Sequence, residues 1–227
     1  LTAWRNKRSK EVGANTVLRE IALYSSVFSY AVNVFFFLEN NPWMGIKKPV
    51  KPKARNRRIR DDEIQKLLEA LNYREGQTPT EPDHYVAWAF LFALETAMRR
   101  GEILGIQMKD IHARHVHLPK TKNGDARNVP LTKKALELLS VIDHDGTKLI
   151  PQYENAFRLM WERRKEKAGL ADIKFHDTRH EAITRFVNNQ KLPVEVLAKV
   201  TGHKTIKVLV NTYYNPDVDD IADMLDA

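Results

Sequence analysis

The residues best suited to chemistry are two arginines, a lysine, several histidines and a tyrosine pair. Guanidinium grips anions, imidazole binds metal or moves protons, and phenol ionises only when its surroundings help it. Arg99 and Arg100 end an apolar run in TAMRRGEIL. An arginine emerging from apolar surroundings needs an anion, and Glu102 is the structural candidate for that partner. Lys122 stands in PKTKNGDARNVPL, where a solvated turn lysine is commonplace. In HDTRHEAITRF, His176, Arg179 and His180 fall on one helical face. Two histidines at i and i+4 resemble a zinc pair, but the glutamate of a zincin helix is missing between them. His112, His115 and His117 are a second possible ligand set, against the plainer reading of alternating polar residues on a half-exposed hairpin. His203 follows Gly202, and Tyr213 stands beside Tyr214; taken singly, Tyr213 reads as a packed aromatic.

Mainly helical elements must position these groups. A helical pattern runs from Thr16 to Glu39 and stops at Asn41–Pro42, since the residue before a proline is pushed out of the helical region. Within it, IALYSSVFSYAVNVFFFL has Ser25, Ser26, Ser29 and Asn33 on one side, which predicts an amphipathic helix rather than a membrane span. Asp61, Asp62 and Glu63 open a helix whose apolar residues are Ile64, Leu67, Leu68 and Leu71. Residues 85–98 are apolar on every face and predict a central buried helix. Asn123–Gly124, flanked by short alternating runs, predicts a hairpin. Ala135–Val141, Asn155–Lys167, Asp177–Asn188 and Val194–Val200 read as further helices. The expected fold is mainly α with a small antiparallel β-sheet. Its expected parts are a helical domain over 1–52, a basic linker over 53–60 and a second domain over 61–227 ending in an acidic helix, 217–227.

The 227 residues carry a net charge of +8 that is unevenly placed. Residues 1–60 hold 13 basic against 3 acidic residues, whereas the rest is close to neutral. Eight of the fourteen residues in 47–60 are Lys or Arg, the footprint of a segment lying along phosphates. Lys47, Lys48, Lys51, Lys53, Arg55, Arg57 and Arg58 are its candidate nucleic-acid contacts; a solvated linker or localisation signal is the plainer reading. Zero cysteines exclude disulfides, thiolate metal sites and a cysteine nucleophile. The start, LTAWRNKRSK, lacks the apolar core of a signal peptide, and Leu1 points to a fragment or processed product.

Taken jointly and in order, Arg99, Lys122, His176, Arg179, His203 and Tyr213 resemble the pattern of the tyrosine recombinases, the phage integrase family of site-specific DNA recombinases. That pattern is an Arg after a buried helix, a Lys in a hairpin turn, H..R, GH and a Tyr nine or ten residues beyond. Ala97 stands where many members have Gly, and Thr178 where Leu is usual; Tyr213, ten residues past His203, is preferred over Tyr214. The resemblance implies a two-domain DNA clamp, residues 1–52 being the latter part of a helical core-binding domain. It implies strand cleavage and rejoining through a 3′-phosphotyrosine, without metal, ATP or another cofactor. Arg99 and Arg179 would stabilise the charged transition state, and His203 would donate to a non-bridging oxygen. His176 would serve as base or positioning group, Lys122 as acid for the leaving oxygen and Tyr213 as nucleophile. The implied partners are double-stranded DNA and three further copies in a tetramer, the acidic tail packing on a neighbour, with DNA-bending accessory proteins possible and no membrane. The expected setting is the cytoplasm of a bacterium or phage-infected host, for integration or excision of a mobile element. A type IB topoisomerase or a catalytically silent DNA-binding module of the same fold are the alternatives.

Overall fold

The computed structural model describes residues 1–52, 55, 57–120, 126–142, 147–189 and 191–214. The chain forms two compact units, Leu1–Arg55 and Asn56–Ala227. The described residues are mainly helical, with one two-stranded antiparallel sheet. None of their helices is long and apolar enough to cross a membrane.

In the first unit, α1 (Thr2–Glu11) and α2 (Ala14–Asn33) enclose a small core of Val17, Ile21, Trp43 and Ile46, with Trp4, Val12 and Phe28 against it. Trp4 meets Trp43 edge-on at 5.1 Å, an arrangement favoured by the ring quadrupoles. The Arg8 guanidinium ties the two helices through the Glu20 carboxylate at 2.7 and 2.9 Å. Helix α2 stops at Asn33, short of the Asn41–Pro42 boundary read from the sequence. Three aromatics follow, and Phe36 takes a left-handed φ of 55°, which turns the chain back. Asn41 then returns along α2, its side-chain amide donating to the Ser25 carbonyl and the Ser29 hydroxyl, both at 2.8 Å. Serines that read as a solvent face thus hold the return of the chain.

The second unit is built around α4 (Pro82–Thr96), as the unbroken apolar run predicts. It packs against α5 (Arg100–Leu104), α6 (Lys133–Ser140), α7 (Glu154–Lys167) and α8 (Asp177–Asn188). Trp88 is completely buried, stacks on Phe92 at 4.7 Å and donates its indole N–H to the Leu138 carbonyl at 2.7 Å. Helix α3 (Asp61–Ala70) adds Ile64, Leu67 and Leu68 to the same core. The strands β1 (His115–Leu118) and β2 (Arg127–Pro130) pair antiparallel, with Val116 opposite Val129 and both buried. A smaller core joins Ala97 to Ala182, Ile183 and Phe186 of α8, Leu197 and Val200 of α9 (Val194–Thr201) and Leu209 of α10 (Ile206–Tyr213). It is this second core that gathers the candidate site.

Candidate active site

Arg179 projects from the first turn of α8 and is 3% exposed. Its two terminal nitrogens donate to the carbonyls of Ala97 and Thr201, each at 2.6 Å. The guanidinium is therefore clamped between the C-terminal ends of α4 and α9, with further N–H groups left for an anion. The clamp depends on a backbone feature: Ala97 closes α4 in the left-handed region, at φ 53°. Burial, then repulsion from Arg99 and Arg127, pushes the Arg179 pKa down to about 10, so it keeps its charge at neutral pH.

Arg99 caps the N-terminus of α5. Its backbone N–H and guanidinium both donate to the Glu102 carboxylate, at 2.8 and 2.9 Å. Arg127, on β2, makes two bonds of 2.8 Å to the same carboxylate and reaches the Val200 carbonyl with Nε at 3.3 Å. Burial alone would raise the Glu102 carboxyl, but hydrogen bonds from Arg127 and from Arg99 outweigh it and hold the pKa at about 2. One buried carboxylate thus organises two guanidinium groups, as Glu102 was expected to do for the first. Arg127 had not been singled out. Arg100 turns instead to Glu154 of α7, at 2.8 Å.

The imidazoles complete the site. Thr201 donates its only hydroxyl proton to the Leu197 carbonyl at 2.7 Å, so its oxygen accepts from Nδ1–H of His203 at 2.6 Å. Desolvation, with Arg179, Arg99 and Arg127 nearby, lowers His203 to about 4 and leaves it neutral in the free protein. Gly202 sets this geometry at φ 70°; a Cβ there would also lie 3.1 Å from Arg127 Cδ. His176 keeps an exposed face, yet desolvation, aided by His180, Arg179 and Arg99, holds its pKa below the usual imidazole range. His176 and His180 sit edge to face, ring centres 5.5 Å apart.

Tyr213 occupies the last turn of α10, with its hydroxyl hydrogen-bonded to His180 Nδ1. Burial pushes its pKa up to about 12, only partly opposed by Arg179. The neighbouring Tyr214 hydroxyl donates to the Leu192 carbonyl instead, away from the arginines. The sequence reading had marked no helix over 206–213. The structure therefore gathers Arg99, His176, Arg179, His203 and Tyr213, and adds Glu102, Arg127 and His180. Lys122 lies outside the described residues, as does Lys53. The strand histidines go elsewhere: His112 stacks on His115 at 4.5 Å, and His117 bonds Asn128 across the ladder at 2.8 Å.

The basic segment divides in two. Lys47, Lys48, Lys51 and Arg55 are exposed. Arg57 instead binds Glu63 and Asp172, and Arg58 grips the buried Glu181 carboxylate at 2.7 and 3.1 Å. Glu181 also accepts from the Ile59 N–H at 3.2 Å and from Arg185 at 2.9 Å. These two arginines fasten residues 57–59 onto α3 and α8.

Comparison with known proteins places the chain. Residues 57–219 match the model of the phage integrase family. A Haemophilus influenzae protein carrying an integrase/recombinase name is 38% identical over 229 residues, covering 95% of this chain and 60% of its own length. The shufflon-specific DNA recombinase of Escherichia coli is 35% identical, over 89% of this chain and 52% of its own. The chain thus spans between half and two thirds of these relatives. The Tn1549 transposon integrase, solved with circular intermediate DNA, shares the fold with a TM-score of 0.72 at 17% identity, over 99% of this chain and 83% of that one. This chain is a member of the phage integrase family.

Proposed function

We propose that the chain is the strand-cleaving and rejoining part of a site-specific DNA recombinase, which integrates or excises a mobile element. The observation that carries this reading is the meeting of two restrained guanidinium groups, Arg99 and Arg179, with the phenol of Tyr213 and the His203 ring. A phosphodiester under attack gains charge on its non-bridging oxygens. Fixed guanidinium forks stabilise that state more than the ground state. Because both forks are already held by protein acceptors, little reorganisation accompanies the reaction.

In this reading, Tyr213 attacks phosphorus, forming a 3′-phosphotyrosine bond as the bond to the 5′ oxygen breaks. Lys122 supplies the proton to that leaving oxygen. His176 positions the scissile phosphate. His203, neutral in the free protein, takes up a proton as the phosphate arrives and donates to a non-bridging oxygen. The phosphotyrosine keeps the bond energy, so a 5′ hydroxyl of the partner strand reseals it without ATP or a metal. Lys47, Lys48, Lys51 and Lys53, with Arg55, lie along the duplex backbone, and Arg57 and Arg58 brace their attachment. Two domains clamp the duplex and four copies pair two sites in the cytoplasm of the host cell. The acidic tail, 217–227, lies outside the described residues; its proposed role is contact with a neighbouring copy.

The test is covalent capture from a randomised library of nicked duplexes. Unaltered protein is expected to retain a subset of duplexes as a 3′ adduct. Tyr213→Phe is expected to abolish capture, and Tyr214→Phe to preserve it. Capture that survives in Tyr213→Phe, or no capture by the unaltered protein, overturns the reading.

A further inference from the structure

The Tyr213 phenol cannot attack while it holds its proton. Within the site, the group bonded to its oxygen is His180, through Nδ1. The two rings lie 5.7 Å apart, tilted by 34°, so the bond is made from the side of the phenol rather than across its face. His180 sits on α8 directly after the clamped Arg179 and is half-buried, so the helix that fixes the phosphate-binding fork fixes the acceptor too. His176, which caps the N-terminus of the same helix, lies edge-to-face with His180.

We infer that His180, rather than His176, accepts the phenolic proton of Tyr213 during cleavage and returns it during rejoining. The inference rests on the proposed role of Tyr213. The balance is complete: the Tyr213 oxygen bonds to phosphorus, its proton passes to Nδ1 of His180, the bond from phosphorus to the 5′ oxygen breaks, and the general acid protonates that oxygen. In rejoining, the 5′ hydroxyl attacks phosphorus and gives its proton back to the deprotonated general acid, the bond from phosphorus to the Tyr213 oxygen breaks, and the proton on His180 returns to the departing phenolate. For this, Nδ1 must be unprotonated in the resting site, which leaves the proton of the neutral ring on Nε2. The titratable or charged groups around His180 include His176 and Arg179 at the start of its helix, His203 before α10 and Tyr213 on α10, with Arg99 beside His176. Arg179 favours the phenolate of Tyr213 once it is formed.

The experiment uses the full chain and a duplex obtained by covalent capture, in single-turnover cleavage across pH. His180→Asn keeps a side-chain acceptor near the Nδ1 position but cannot take the proton at neutral pH. Its rate is expected to fall about 100- to 10,000-fold, with unchanged affinity for the uncleaved duplex and with recovery as pH rises toward the phenol's own range. A second substrate carries sulfur in place of the bridging 5′ oxygen, a leaving group that needs no acid. It should restore Lys122→Ala and leave His180→Asn slow. His176→Asn should keep the shape of the wild-type pH profile. Cleavage by His180→Asn within about threefold of wild type, its rescue by the sulfur substrate, or the loss of the pH limb in His176→Asn instead, each overturns the inference. Should His180→Asn melt early, the same comparison is made with it at lower temperature, beside the wild type at that temperature. None of these outcomes bears on Tyr213 itself, whose role stands or falls with the Phe variant.

Discussion

Two sets of arginines in this molecule look alike in composition and do opposite things. Arg99, Arg127 and Arg179 are gathered around one carboxylate and three main-chain carbonyls, their like charges held within mutual reach. Arg57 and Arg58 are each matched to acidic side chains that neutralise them. The first arrangement concentrates positive charge that an anion can relieve; the second consumes it in fastening a segment. Cation count therefore says little about where an anion will sit, and the identity of each cation's acceptors says much more. A neutral carbonyl orients a guanidinium and leaves its charge uncompensated, whereas a carboxylate cancels it.

The comparison is broken most severely at Glu102. Glu102→Gln removes the one carboxylate shared by Arg99 and Arg127, and is expected to destabilise the fold by about 3–5 kcal/mol while abolishing cleavage. A melting temperature within about 2 °C of wild type would show that the cluster does not need its anion. Acid should act in the same way. With its carboxyl held at about 2 against an ordinary 4.5, Glu102 contributes stability that is fully present above about pH 4.5 and lost as pH falls toward 2. The amount is about 3 kcal/mol. Denaturation midpoints measured from pH 6 to pH 2 should lose this contribution in the wild type and not in Glu102→Gln.

A smaller effect separates the two halves of the basic segment. Replacing Lys47, Lys48 and Lys51 by Gln should lower the slope of log affinity against log salt by roughly 3, without moving the melt. Arg58→Gln should do the reverse, costing about 2 kcal/mol of stability because Glu181 loses its bidentate partner, with little change in the salt slope. Equal salt effects from both sets would erase the distinction. The smallest effect is at Ala97, whose left-handed backbone holds up one jaw of the Arg179 clamp. Ala97→Gly should relieve about 1 kcal/mol of strain and raise the melting temperature by about 2–4 °C, leaving cleavage intact. A lower melting temperature would mean that the packing of the Ala97 methyl outweighs its strain.

Much of this was legible in the sequence for physical reasons. The run over 85–98 has no polar face, so burial on all sides was its only stable option, and α4 obeys. Asp177–Asn188 carries its periodicity to both ends and appears with the bounds read from it. The face shared by His176, Arg179 and His180 followed from helical geometry alone. Other features were hidden because they depend on distant partners. Asn41 ends the α2 excursion by bonding Ser25 and Ser29, and nothing in 34–40 announces that the helix has already stopped. Arg127 belongs to the site because β2 runs beside α9, a tertiary fact without a local signature. Arg57 and Arg58 read as candidate phosphate contacts in part because two of their partners, Asp172 and Glu181, are more than a hundred residues away.

Helix α10 buries only Leu209, whereas α8 buries seven side chains and α9 three. The proposed nucleophile therefore rides on a lightly seated helix with a small local opening free energy, while Arg179, proposed to bind phosphate, rides on a firmly seated one. One buried leucine is worth about 2 kcal/mol, a docked-to-undocked ratio of about 30. The residence of Tyr213 in the site is in this sense a separate equilibrium from the assembly of the site. Any contact that grips α10 from outside shifts the reactive population without altering a single group that touches the phosphate.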